Sequence, residues 1–239
     1  MDTTRFDLIA LLFSGLALLG LPRLLRGRRE LVAPRLSEEG KALAVYVAVF
    51  LAVPVATMAH ELGHLVVARG LGAREATLHY RVFWGFVEYA TRLPGHGDWW
   101  VALAGNAVSW ALAALGLLAS GLAMPPALRY TAYLFGMLEM IHTLVAYPLL
   151  SLSSLPGADW SVIYGRPSWA GTWVVAAVHA ASLLWLRRVL RTEQGEHKDA
   201  RSEPDAREDT GVEPEEHEDT ERGRQRRGAG PRESDNSQG

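Results

Sequence analysis

Residues 52–68 read AVPVATMAHELGHLVVA and place His60, Glu61 and His64 within an otherwise apolar run. Ionisable side chains are costly in a membrane, so those found there usually face a protein interior or a water-filled cavity and have a function. Residues four apart share one face of a helix, so His60 and His64 can bind the same ion. Glu61 is rotated by about 100° from His60, which lets it reach a water beside that ion. This setting favours a metal site in a membrane helix; the alternative is an interfacial polar turn after a helix that ends near Thr57.

Four further apolar stretches approach the roughly 20 residues that a membrane-crossing helix needs. The pair Pro125 and Pro126 separates the third stretch from the fourth, because proline does not continue a helix. We therefore predict an all-α membrane protein whose membrane domain covers residues 1–191. The five predicted helices cover residues of about 6–21, 42–68, 100–124, 128–150 and 169–186.

The segment between the second and third predicted helices has a different composition. Residues 75–93 read EATLHYRVFWGFVEYATRL, a mixture of Thr, Tyr, Val and aromatic side chains around Gly85. This mixture predicts a short β-hairpin. Because open strand edges cannot face lipid, we expect the hairpin at the membrane interface or in a protein-lined cavity.

Residues 192–239 contain almost no large apolar side chain and hold 15 of the 26 acidic and 8 of the 24 basic residues. Such a segment cannot bury enough apolar surface to fold, so we predict a disordered charged tail, with a partner-binding tail as the alternative. The remaining residues then carry 16 basic and 11 acidic side chains. A basic membrane domain suits anionic lipids.

The metal ligands can come only from certain residue types, because the chain has no cysteine. His, Asp and Glu donors favour zinc or a harder divalent ion. Catalytic zinc usually takes three protein ligands and keeps one position open. Glu139 and Asp159 are the acidic residues in or just beyond the later apolar segments. Pro156 and Gly157 break the helix before Asp159, so an irregular segment could return this carboxylate to the core; a turn or N-cap aspartate is the alternative.

The HELGH motif in an apolar helix, followed much later by Pro-x-x-Asp at residues 156–159, resembles the site-2 protease group of intramembrane metalloproteases, the peptidase M50 family. The resemblance covers residues of about 42–165 and includes the hairpin. It implies that His60, His64 and Asp159 bind one zinc ion per chain and that Glu61 is the catalytic base.

A Gly/Asn-containing stretch of that family is also similar to ALAGNAVSW here, around Gly105 and Asn106. The chain departs from the family pattern beside the aspartate. Trp160 stands where the family usually has Gly, and the Ser-rich LSLSSLP stands where it often has Asn.

Other polar residues have several possible roles. Glu139 and His142 form a second Glu-x-x-His, which is typical of di-iron carboxylate bundles, but the third and fifth segments lack the further Glu residues that such a site needs. Glu139 and His142 could instead support a ligand, contact substrate or form a structural pair. Asn106 could bind the substrate backbone or an oxyanion, or join two helices. His79, His96 and His179 have no partner at metal-ligand spacing, and we treat them as ordinary.

The expected function is that of an intramembrane zinc metalloprotease in the cell membrane, with a membrane-anchored protein as substrate and the lipid bilayer as its surroundings. The alternative is a non-catalytic metal-binding membrane scaffold or regulator on the same fold. No nucleic-acid partner is expected, and the oligomeric state stays open. The membrane orientation also stays open. The arginines that follow the first and the fifth predicted helices indicate that their shared side of the protein faces the cytoplasm, whereas the family resemblance implies that the other side does.

Overall fold

The computed structural model describes residues 4–154 and 158–202. The chain divides into two units, residues 1–188 and 189–239. Two helices precede the central motif, and a third contains it. They are α1 (Thr4–Gly27), followed by a 3-10 turn at Arg28–Val32, then α2 (Glu38–Val47), a π-helical turn at Ala48–Ala52, and α3 (Val53–Gly70).

A hairpin and five more helices follow α3. They are β1 (Thr77–Tyr80), β2 (Gly85–Glu88), α4 (Gly97–Ser120), α5 (Pro126–Ile141), a second π-helical turn at His142–Ala146, α6 (Tyr147–Ser154), α7 (Asp159–Tyr164) and α8 (Ala170–Ser202). The last helix continues beyond residue 191, where we predicted the charged tail to begin. The rest of the predicted tail lies outside the described residues.

Five helices in the described residues are long and apolar enough to cross a membrane. This confirms the predicted number, and each helix overlaps a predicted one. They cover Thr4–Val32, Glu38–Gly70, Gly97–Ser120, Pro126–Leu152 and Ala170–Val189. As expected, Pro125 and Pro126 mark the break between two of them, and Pro126 is the first residue of α5.

The second long helix contains Pro54 and is irregular just before it. Proline removes one N–H donor and its ring crowds the carbonyl four residues earlier, which disturbs a regular α-helix. The π-helical turn at Ala48–Ala52 absorbs this disturbance, and helix α3 continues with Pro54 in its first turn. The helix therefore carries the HELGH motif without a break in the chain direction.

Strands β1 and β2 form the predicted hairpin as an antiparallel pair in which Thr77 faces Glu88 and Tyr80 faces Gly85. The turn lies between the strands, where the N–H of Arg81 donates to the carbonyl of Trp84 at 2.9 Å. Gly85, which we placed at the centre of the hairpin, is thus the first residue of β2.

The hairpin turn packs against α1. The rings of Phe83 and Trp84 lie 5.4 Å from Phe13 and 5.5 Å from Phe6. An ion pair joins Arg81 to Asp7 of α1 at 3.5 Å. Because an isolated two-stranded hairpin has little stability in water, these contacts hold the turn in place.

Helix α4 is the centre of the first unit. It packs closely on α5 through two glycines: a Cβ atom on Gly116 would lie 2.9 Å from Cα of Gly136. Its first turn contributes Trp99 to a buried hydrophobic cluster, in which Trp160 and Ile163 of α7 are also fully buried. This cluster fixes the short helix α7, and with it Asp159, beside α4.

Candidate metal centre

Three donor atoms from two distant parts of the chain converge on one point. The Nε2 atoms of His60 and His64 lie 2.9 Å apart. Oδ2 of Asp159 lies 3.2 Å from each of them. The three side chains are largely buried, with 12%, 8% and 15% of their surfaces exposed. Helix α3 presents the two imidazoles on one face, and the first residue of α7 brings the carboxylate to that face.

This triangle has the dimensions that a small metal ion requires. Two ligands in a tetrahedral zinc site, each about 2.0–2.1 Å from the metal, lie roughly 3.3 Å apart. The three distances between the donors of His60, His64 and Asp159 are close to that value. The donor set of two imidazoles and one carboxylate also leaves a fourth position open.

Glu61 lies beside this triangle. Its carboxylate is within 4.8 Å of both imidazole donors, so His60, Glu61 and His64 form a buried group that could hold a metal ion. The carboxylate of Asp159 lies at the same point, with Oδ2 3.2 Å from Nε2 of both imidazoles. In the described part of the chain, the buried Oε2 of Glu61 has no hydrogen-bond partner. This oxygen is therefore available to a water beside the metal centre.

Helix α4 orients the two imidazoles through their other nitrogens. Nδ1 of His64 lies 2.6 Å from the carbonyl oxygen of Val101, which can only accept, so Nδ1–H donates and Nε2 keeps a free lone pair. Nδ1 of His60 lies 3.0 Å from Oγ of Ser109, which can accept in the same way. Hydrogen bonds of this kind fix the ring orientation and tautomer of metal-binding histidines.

Asp159 is also held by α4. The amide of Asn106 donates to Oδ2 of Asp159 at 3.1 Å and to the carbonyl of Ala102 at 2.9 Å. The hydroxyl of Tyr147 is a further polar neighbour of Asp159. Asn106 is fully buried, and its Oδ1 has no partner within the described residues. The amide therefore positions the carboxylate and keeps one acceptor unused.

Two glycines make room for the centre. A Cβ atom on Gly105 would lie 2.3 Å from Nε2 of His64 and 2.8 Å from Nε2 of His60. A Cβ atom on Gly85 would lie 2.8 Å from Cγ of Glu61 and 2.9 Å from the carbonyl oxygen of His79. The backbone of α4 thus forms one wall of the site, and strand β2 covers Glu61 from another side.

The second Glu-x-x-His lies apart from this triangle. Among the described residues, neither Glu139 nor His142 belongs to the group whose ligand atoms could share a metal. Glu139 is buried, with 5% of its surface exposed. The ring of His142 stacks on Tyr147 at 5.6 Å, and the Tyr147 ring lies 6.1 Å from that of His60. The ring of Tyr147 thus lies between His142 and His60.

A cavity of about 400 Å³ opens beside α7. Tyr89 donates to Oδ1 of Asp98 at 3.1 Å there, and Arg166 lies 3.6 Å from the same carboxylate. Burial, and then the negative charge of Asp98, raise the pKa of Tyr89 to about 12. The residues lining the cavity are Tyr89, Asp98, Ser161, Val162, Gly165 and Arg166. Two of them follow Asp159 closely in sequence, which places a polar opening next to the segment that carries the third donor.

Three residues that lie in or beside this arrangement, Ser109, Tyr147 and His179, were not predicted as site residues. Ser109 follows Asn106 by three positions on α4, so helical spacing alone puts both on one face, where a histidine partner could have been suspected. Tyr147 and His179 offer no such signal, since their neighbours Asp159 and Tyr164 are distant in sequence.

The fold and the site define a helical protein with five potential membrane-crossing helices and a buried His-Glu-His group that could hold a metal ion. Comparison of the chain with protein-family models, curated proteins and solved structures gave no match.

Proposed function

We propose that this chain is a multi-pass protein of the cell membrane and a zinc metalloprotease of the site-2 protease type. Its substrate would be a membrane-anchored protein, cut inside the bilayer or at its edge. One observation carries the proposal: Oδ2 of Asp159 is equidistant from Nε2 of His60 and His64, and beside them lies Oε2 of Glu61, which has no hydrogen-bond partner among the described residues.

The choice of zinc follows from the donor set. Two imidazoles and one carboxylate, with one position left open, are the ligands of several catalytic zinc sites. The chain has no cysteine that could favour softer metal chemistry. When bound, zinc would polarise the scissile carbonyl and make a nearby water easier to deprotonate.

The remaining chemistry belongs to the protein. Glu61 accepts a proton from the attacking water while the water oxygen bonds to the carbonyl carbon. It then delivers that proton to the amine nitrogen as the C–N bond breaks. Two features support this role: the carboxylate lies within 4.8 Å of both imidazole donors, and its Oε2 has no competing partner in the described part of the chain.

The hairpin offers a way to hold an extended substrate. Strands β1 and β2 pair with each other, which leaves an outer edge on each strand. A peptide added to such an edge satisfies its backbone hydrogen bonds and is held extended, as proteolysis requires. We expect proline substitutions along both strands to reduce cleavage, and unchanged cleavage would exclude this binding mode.

The decisive experiment uses the purified full chain in detergent or liposomes. Metal analysis should find about one zinc per chain, and a panel of membrane-anchored substrates should reveal cleavage. Glu61→Gln should keep the metal and lose activity by about 10²- to 10⁴-fold, the contribution of a general base. Glu38→Gln, an exposed carboxylate at the start of α2, is the matched control and should cleave normally.

Two results would contradict the proposal. Full activity of Glu61→Gln would remove the assigned base, and a wild type without bound metal would remove the centre itself. A wild type that binds zinc but cleaves none of the substrates would favour the alternative, a metal-binding scaffold. Trp160, which is fully buried beside Asp159 where the site-2 protease group usually has Gly, is the observation in favour of that alternative.

A further inference from the structure

We propose that Tyr164 and His179 are positioning residues of the metal centre: the pair fixes the short helix α7 so that Asp159 meets the two imidazoles of α3. This inference rests on the proposed metal centre and adds two residues to it. Neither residue is a metal ligand, and both act through the neighbours of Asp159.

His179 uses both of its ring nitrogens inside the protein. Nε2 lies 2.8 Å from the carbonyl oxygen of Leu144, and Nδ1 lies 2.6 Å from the hydroxyl of Tyr164. Since a carbonyl oxygen only accepts, Nε2–H donates to Leu144, and Nδ1 accepts the hydroxyl proton of Tyr164. Only 8% of the His179 surface is exposed. The imidazole therefore links α8 to α7 and to the π-helical turn at His142–Ala146.

The same ring supports the residue next to Asp159. The rings of His179 and Trp160 lie 4.7 Å apart, and Tyr164 stacks on Trp160 at 5.5 Å. Trp160 is fully buried. The hydrogen-bonded pair Tyr164–His179 thus sets the position of Trp160, which directly follows Asp159 in the chain.

The other contact of His179 leads to Asp159 from a second direction. Leu144 belongs to the π-helical turn that precedes α6, and Tyr147 at the start of α6 is a polar neighbour of Asp159. The imidazole of His179 therefore contacts two segments that adjoin Asp159. One is Trp160, the next residue in the chain, and the other is the π-helical turn that contains Leu144.

Helix α7 needs such support because it is short. A six-residue helix has little stability of its own, so tertiary contacts hold it. At its far end, the carbonyl of Ile163 accepts from Nε1 of Trp99 at 3.2 Å and from Oγ1 of Thr172 at 3.0 Å. These bonds fix the end away from Asp159, whereas the Tyr164–His179 pair also supports Trp160 at the beginning of the helix.

The test is the affinity of the purified full chain for Zn²⁺ alone, measured by competition with a chelator. Tyr164→Phe removes only the hydroxyl and keeps the aromatic stack. It should weaken Zn²⁺ binding by about tenfold or more, which is the usual effect of changing a residue that supports a metal ligand. Tyr46→Phe is the control, because its hydroxyl bonds the carbonyl of Ala17 on α1 and serves no part of the centre. Its affinity should equal that of the wild type.

A positioning role and a general loosening of the fold are separated in a second background. In Asp159→Asn, Zn²⁺ is left with the two imidazoles, and adding Tyr164→Phe should change the affinity no further. Equal weakening in both backgrounds would show a general structural effect and overturn the inference, as would unchanged affinity of Tyr164→Phe alone.

His179→Gln provides an independent check, since its amide can still donate to Leu144 but lacks the ring that backs Trp160. It should weaken Zn²⁺ binding at least as much as Tyr164→Phe, and wild-type affinity would count against the inference. A wild type that binds Zn²⁺ without cleaving any substrate overturns the proposed protease and leaves this inference standing. A wild type that binds no Zn²⁺ overturns both.

Discussion

Gly105 lies so close to His64 that a Cβ atom at position 105 would be 2.3 Å from the Nε2 atom of the imidazole. The same Cβ atom would be 2.8 Å from Nε2 of His60. Both atoms are the donors that face Asp159. The absence of a side chain on this turn of α4 is therefore a condition for the proposed metal centre.

Gly105→Ala should greatly weaken zinc binding while the fold persists. In most helix positions this change stabilises a protein by roughly 0.5–1 kcal/mol, but here the methyl group displaces both imidazoles. We expect zinc affinity to fall by about 100-fold or more, measured as bound metal per chain with a melting curve as the check on folding. Gly15→Ala in α1, where a Cβ atom has nothing within 4 Å, should bind zinc normally. Full zinc occupancy in Gly105→Ala would contradict the assigned geometry.

Ser109→Ala should weaken zinc binding by about tenfold, because it removes the acceptor that orients Nδ1 of His60. Ser120→Ala removes a hydroxyl from the same helix, where it donates to the carbonyl of Leu117 away from the centre. Competition with a chelator measures both affinities. If the two alanine variants bind zinc equally well, the contact between Ser109 and His60 has no part in metal binding.

Gly85→Ala should separate cleavage from metal binding. The added methyl group meets Cγ of Glu61 and the backbone carbonyl of His79, so either the base or the strand must move. A displacement of about 1 Å can cost roughly 100-fold in rate, and we expect a loss of that order with zinc still bound. Gly70→Ala at the end of α3, where a Cβ atom has open space, is the control. Loss of zinc from Gly85→Ala would instead show that the hairpin supports the ligands.

The hairpin should loosen in acid because of Glu75. Its Oε1 accepts from the N–H groups of Ala90 and Thr91 at 3.1 and 2.8 Å. Hydrogen bonds from Thr91, through the side chain and then the backbone, lower the pKa of Glu75 from 4.5 to about 2. A group with a lowered pKa stabilises the folded form above its unfolded pKa, and this stabilisation is lost as the pH falls from about 4.5 towards 2.

Hydrogen exchange in the segment of residues 75–93, corrected for the intrinsic effect of pH, measures this loosening. Exchange in the wild type should rise across that range. Glu75→Gln cannot ionise, so its exchange should be faster at neutral pH and nearly constant below it. A wild type and variant with parallel profiles would exclude Glu75 as the cause.

Local sequence patterns predicted much of the fold. Apolar length located the five long helices, and the Thr-, Tyr- and Val-rich segment located the hairpin. The pattern could not show why Gly85 is glycine, since glycine in such a segment is most simply taken as a turn residue. Position 85 is glycine because the side chain of Glu61, on helix α3, packs against β2. This contact cannot be read from the sequence around Gly85.

The residues of the proposed metal centre were likewise only partly predictable from the sequence. His60, Glu61 and His64 lie within one helical turn and a half, so their spacing alone predicts a shared face. Asp159 could be named as a third ligand from its residue type and from the resemblance, but its distance from the imidazoles depends on how α7 packs against α4. His179 appeared ordinary because its partners, Tyr164 and Leu144, are far apart in sequence and come together only in the folded chain.

Helix α1 contributes no donor to the centre, yet the hairpin turn rests on Phe6 and Phe13 and on the Asp7–Arg81 ion pair. Helix α1 therefore supports the hairpin turn, and with it the strand that packs over the side chain of Glu61. In the proposed protease, removing α1 would leave His60, His64 and Asp159 in the chain but take away the support of the strand that packs over Glu61.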